Sequence, residues 1–139
     1  MPELRVGDWT ELGTAAAQVR TAVFVREQGI PAALEWDAAD AECLHCVAFD
    51  GAQPVATGRL LPDGHIGRMA VLPAWRRGGL GGTILERLVA AARERGDAVA
   101  MLNAQRQVES FYRRHGFETV SEPFDEAGIE HVSMRRALR

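Results

Sequence analysis

The sequence predicts a mixed α/β domain, a mostly antiparallel sheet of about six or seven strands with helices on both faces. Apolar residues alternate in short runs, switch to a helical period of about 3.6 after residue 80, then return to strand-like runs. Asp50-Gly51, Pro62-Asp63-Gly64, Gly96 and Gly116 punctuate these segments at the changes of pattern, as turn and helix-stop residues do. No repeat, low-complexity tract or linker interrupts residues 1–139, so one domain is expected.

Taken in order, residues 3–8 alternate and read as a first strand. Asp8 stands three residues before Glu11, a capping-box spacing that opens a helix to about Glu27; Gly29-Ile30-Pro31 stops it. Residues 31–42 read as an acidic loop or short turn. Cys43–Asp50, Gln53–Leu61 and His65–Leu72 form an antiparallel meander. Leu80, Ile84, Leu85, Leu88, Val89 and Ala92 share one face of a helix ending near Arg95. Asp97–Ala104 is a buried-type strand, a helix spans about Gln107 to Arg114, and Phe117–Ser121 and Ile129–Arg136 complete the sheet.

Composition narrows the function. Of 139 residues, 47% are hydrophobic and 25% charged, a globular balance, and the formal net charge of -3 disfavours a nucleic-acid partner. The first residues lack a signal-peptide pattern, and no run reaches the roughly 18 apolar residues of a membrane helix. A cytoplasmic protein without membrane association, monomeric or homodimeric, is the expectation. Cys43 and Cys46 form a lone CxxC; without a second pair they read as structural thiols rather than a metal or redox site.

Arg76-Arg77-Gly78-Gly79-Leu80-Gly81-Gly82 carries the chemistry. Four glycines in these seven residues, directly before a helix, remove Cβ atoms and let successive N–H groups converge on an anion. The helix dipole adds partial positive charge, and the two arginines add full charges. The residues of a nucleoside-triphosphate P-loop and of a GxGxxG fingerprint are missing.

Val71-Leu72-Pro73-Ala74-Trp75-Arg76-Arg77-Gly78-Gly79-Leu80-Gly81 resembles the acetyl-CoA signature of the GNAT superfamily of N-acetyltransferases, with Arg76, Gly79 and Gly81 at its fixed positions. Gln105–Phe117, with Tyr112 and a closing Gly-Phe, resembles the family's second signature. Val23–Pro31, followed by Glu35, Asp37 and Asp40, is similar to the small bacterial ElaA-like branch. The resemblance implies a GNAT-like fold binding acetyl-CoA as co-substrate, without a metal, and acetylating a small or peptide amine. It places the diphosphate on Arg76, Arg77, Gly78, Gly79, Leu80, Gly81 and Gly82. The pantetheine arm falls on the backbone of Met69, Ala70 and Val71 and on Gln105, where many relatives carry Asn. Tyr112 falls at the sulfur as general acid.

The four acids of residues 35–42, unaccompanied by a basic residue, suit capture of a cationic amine or a solvated loop. Glu27, Glu35, Asp37, Asp40 and Glu42 are candidates for the base. His45 and His131 lie on strands that can face the cleft, His65 reads as an exposed turn residue, and His115 as a helix C-terminal cap. Symmetric closure of the Pro62–His65 turn sets Arg59 opposite Arg68, which calls for an anion between them, either an acid of residues 35–42 or a substrate carboxylate. A non-catalytic acyl-CoA sensor and transfer of a longer acyl chain, with Trp36 or Phe24 walling its pocket, are the alternatives.

Overall fold

In the computed structural model, which describes residues 2–139, one carboxylate sets the first turn. Asp8 follows β1 (Glu3–Gly7) and caps α1 (Trp9–Arg20), its Oδ1 accepting the Glu11 N–H at 2.9 Å. The helix expected to run to about Glu27 changes type on the way. After Arg20 it widens into a π-helical turn, Thr21–Glu27, where the Gln28 N–H donates to Val23 O at 3.0 Å. Such turns concentrate at functional sites. This one presents Phe24, Glu27 and Gln28 to a cavity. The acidic segment folds into α2 (Ala32–Glu35) and a 3-10 turn, Ala38–Glu42.

The meander is present as β2 (Leu44–Asp50), β3 (Gln53–Leu60) and β4 (Ile66–Val71), antiparallel in the order β1-β2-β3-β4. Its register corrects the symmetric hairpin: Leu60 pairs with Ile66, and Arg59 with Gly67 rather than Arg68. A bulge opposite Gly58 adds one residue to β4 and leaves Arg68 at φ 50°. The extra residue re-aims the side chains that follow.

A 3-10 turn, Pro73–Trp75, leads through the glycine-rich segment into α3 (Leu80–Glu94), then β5 (Val99–Gln105), α4 (Glu109–Arg114), β6 (Glu118–Thr119), β7 (Phe124–Glu126) and β8 (Ile129–Ala137). The last four strands form a second antiparallel sheet around β8. Among the described residues eight strands stand where about six or seven were expected. The addition is β7, joined to β8 through Ala127 and Gly128 at φ 54° and 78°, the paired positive angles of a two-residue hairpin.

Leu85, Leu88 and Val89 of α3 are fully buried in one cluster with Ala48, Val55, Leu60 and Ala100. Truncating one of these leucines to Ala costs about 2–5 kcal/mol. On the opposite face, Leu12 and Ala16 of α1 meet Val47. Between the two sheets a parallel bridge, His65 to Met101, is formed, the only isolated bridge among the described residues, with the Met101 N–H donating to Gly64 O at 3.1 Å. Past that point β4 and β5 diverge, and the gap between them holds the site.

Candidate active site

The cradle begins where Arg77, at φ 73°, and Gly79, at φ 82°, turn the chain back on itself. Gly79 caps α3 without a side-chain acceptor, and the first turn, whose N–H groups have no intrahelical partner, lines a cavity at the positive helix end. A Cβ built on Gly79 meets nothing within 4 Å, so the residue borders open space. At Gly82 the demand differs: a Cβ would lie 2.8 Å from His115 Nε2, so this glycine lets α3 and α4 approach. These features fit a diphosphate.

Arg76 does a different job from Arg77. Its guanidinium forks onto Glu27 at 2.6 and 2.8 Å while Nε donates to Val71 O at 2.9 Å. The hydrogen bond from Arg76 holds the Glu27 carboxyl below its usual range. The pair ties the π-helical turn to the end of β4 beside the cradle.

A cavity of about 1470 Å³ runs from the cradle through the β4–β5 gap to α2 and the β7–β8 hairpin. Met69, Ala70 and Val71 line one wall, along an edge of β4 with no ladder partner past the His65 bridge. Gln105 lines the other; its amide donates to Gln28 Oε1 and accepts from Gln107 Nε2, both at 2.9 Å. Tyr112 lines the cavity but is only 8% exposed, flanked edge-on by Phe111 and Phe117 with centroids at 5.0 and 6.2 Å. Burial pushes its phenol up to about 12. Phe24 lines the cavity against Ala70, whereas Trp36 stands 73% exposed outside the lining.

Carboxylates of residues 35–42 do lie between Arg59 and Arg68. Arg59 donates to Asp40 at 2.8 Å and to Asp37 at 2.7 Å, while Arg68 approaches Glu35 at 3.6 Å and Asp37 at 3.7 Å. A third arginine, not foreseen from sequence, completes the cluster. Arg20, 1% exposed, binds Glu35 at 2.6 Å and Asp40 at 2.9 and 3.0 Å. Its signal was its spacing: Leu12, Ala16 and Arg20 form an i, i+4, i+8 stripe, and an arginine on a buried stripe needs a buried acid. Burial alone would raise the Asp40 pKa, but the bonds from Arg20 and Arg59 outweigh it and hold the carboxyl low. Asp37, Asp40 and Arg59 stand behind the cavity wall, while Glu35 and Arg68 line it. Arg68 is the least tightly paired of the three arginines, its carboxylate contacts lying at 3.6 and 3.7 Å where those of Arg20 and Arg59 lie between 2.6 and 3.0 Å; its Nε and that of Arg59 are both buried without a hydrogen-bond partner.

Both cysteines are free and buried, and the Cys43 thiol donates to Ala39 O at 3.2 Å. Cys43, Asp40 and His45 bring ligand-type atoms within 4.8 Å, but both Asp40 oxygens already accept from guanidinium groups. His45 is turned away from the cleft, its Nε2 donating to Asp40 O at 2.9 Å. His115 follows α4 and bonds Glu86 at 2.8 Å; His65 pairs with Asp63 at its turn. His131 lines the cavity, as does His115.

Residues 11–138 match the acetyltransferase (GNAT) domain. The chain is 42% identical over 125 residues to the uncharacterized N-acetyltransferase YjcF of Bacillus subtilis, spanning 87% of this chain and 89% of that one. It is 31% identical over 132 residues to protein ElaA of Escherichia coli, spanning 89% and 86%. A crystal structure of an acyl-CoA N-acyltransferase from Pseudomonas aeruginosa aligns with a TM-score of 0.88 at 34% identity, over 99% of this chain and 100% of that one. That of E. coli ElaA aligns at 0.87 and 30% identity, over 98% and 99%.

Proposed function

This chain belongs to the acetyltransferase (GNAT) domain family, and from that premise we propose that it transfers acetyl from acetyl-CoA to a primary amine by direct attack in a ternary complex. Acyl transfer from an acyl-CoA is what membership implies; the acetyl group, the amine and the residue roles are our reading. One observation carries it: the cradle, the unladdered edge of β4 and the phenol of Tyr112 open onto a single cavity.

In this reading the N–H groups of Arg77–Gly82 take the diphosphate, with Arg77 adding charge and Arg76 bracing the rim through Glu27. The pantetheine amides pair with the free edge at Met69–Val71 as an added strand, and Gln105 closes the far side. An N–H of this edge polarises the thioester carbonyl and holds the developing oxyanion. Phe24, packed on Ala70, shortens the acyl pocket and favours acetyl. The amine enters from the end lined by Glu35 and Arg68, while Asp37, Asp40 and Arg59 brace that wall from behind. As the C–S bond breaks, Tyr112 donates its O–H to the thiolate. A phenol near 12 exceeds a free thiol's roughly 8.5, so Tyr112 acts chiefly as a hydrogen-bond donor and the proton stays on its oxygen.

No helix among the described residues is long and apolar enough to cross a membrane. With its two thiols unpaired, we place the protein in the reducing cytoplasm.

Calorimetry with coenzyme A, and free-thiol release from acetyl-CoA with putrescine, glycinamide and a lysine-containing tripeptide, test the reading. Binding and turnover of at least one amine are expected. Gly79→Val forces a branched residue to φ 82° in the mouth of the cradle and lowers coenzyme A affinity by about 10-fold or more. Binding without turnover of any amine supports a sensor instead, and undetectable binding overturns the reading.

A further inference from the structure

We propose that His131 is the general base of this acyl transfer, its Nε2 taking the proton of the acceptor amine; the assignment rests on the reading above. His131 is directly opposite Gln105 across the β5–β8 ladder. Opposed residues share a face, and both line the cavity. The residue is 6% exposed, and its ring is stacked on Phe124 with centroids at 6.1 Å and planes at 25°.

The tautomer follows from one contact. Nδ1 lies 2.7 Å from Ile129 O. A carbonyl only accepts, so Nδ1 carries the hydrogen and Nε2 keeps a free lone pair. Glu126 Oε2 lies 3.6 Å from Nε2, on a half-exposed side chain that also lines the cavity. An oriented imidazole with an anion beside its basic nitrogen is the arrangement a proton acceptor needs. The cavity's other acids are Glu27, Glu35 and Glu86, and its other basic groups are Arg68, Arg76, Arg77, Arg114 and His115; β5 contributes the neutral Asn103 and Gln105.

The acids that sequence alone offered are poorer bases. Glu27 is held by Arg76, Asp37 by the Ala39 N–H and Arg59, and Asp40 by Arg20 and Arg59, each with its pKa lowered. Arg20 holds Glu35 at 2.6 Å, and Glu42 is outside the cavity lining.

In the step, the amine nitrogen forms its bond to the thioester carbon and its N–H proton passes to His131 Nε2. The C–S electron pair leaves on sulfur beside Tyr112, and the imidazolium returns its proton to water at the mouth past Glu126.

Nitrogen NMR of the imidazoles, with His131→Asn to assign the signal, is expected to show the neutral ring of His131 protonated at Nδ1 and bare at Nε2. In the turnover assay with putrescine, glycinamide and the tripeptide, His131→Asn should lower kcat about 100-fold or more and abolish the acid limb of the pH profile. Its coenzyme A affinity and circular dichroism should stay unchanged. Glu126→Gln, at a half-exposed position that tolerates change, should lower kcat several-fold. A hydrogen on Nε2, or full turnover by folded His131→Asn, overturns the assignment while leaving the acetyltransferase reading intact. A wild-type protein that binds coenzyme A and turns over none of the amines refutes both.

Discussion

A phenol closed in by Phe111 and Phe117 keeps its proton far into the alkaline range. Tyr112 is the sole tyrosine, so ultraviolet absorbance of the phenolate reports it alone. Its titration is expected near 12 in the folded protein. The unfolded chain releases that proton at about 10, so stability is unaffected below pH 10 and falls between about 10 and 12, by about 2–3 kcal/mol in total. Tyr112→Phe lacks that loss in alkaline urea titrations. The same variant should lose about 100-fold or more in kcat while keeping its coenzyme A affinity, because the cradle lies on another element.

At the scale of elements, α2 is held by charge rather than by an apolar face, none of its residues being buried. Arg20 reaches it from α1 and Arg59 fastens the following turn from β3. Asp40→Asn leaves two guanidinium groups around one neutral amide and should cost about 3–5 kcal/mol, read as a lower urea midpoint. The pH dependence has a definite sign. The folded Asp40 carboxyl sits below its ordinary value of about 3.9, so its contribution is complete above that value and disappears as pH falls through the lower, folded one. The gap between wild type and Asp40→Asn therefore narrows in acid. The arrangement also explains the bulge at Arg68: like charges on β3 and β4 avoid direct opposition, and the acids of α2 and its following turn fill the space between.

For the whole molecule, two antiparallel sheets joined by one parallel bridge leave a wedge that a ligand can complete. An added strand of pantetheine amides would cover free main-chain groups on β4. Hydrogen exchange with and without coenzyme A is expected to show added protection concentrated at Met69–Val71 and Arg77–Gly82. At about 100 times the dissociation constant, coenzyme A should add about 2.7 kcal/mol of stability. Protection elsewhere with these two segments unchanged would contradict the seating.

By itself the sequence determined what contiguous residues can encode: the Asp8 cap, the meander turns, the apolar stripe of α3 and the glycine-rich turn that opens it. Each depends on local backbone freedom or on a repeat within a few residues. The glycine-rich entry to α3 was legible before any contact was known, because such a turn needs only a short segment and a helix end, not distant partners. Tertiary structure alone decided the register at Arg68, the pairing of Arg20 with Glu35 and Asp40, the π-helical turn and the orientation of His131. Those features join residues far apart in the chain, and a one-residue slip in a strand sends a side chain to the opposite face. Residue type named the groups that bear chemistry; packing chose which of them face the cleft.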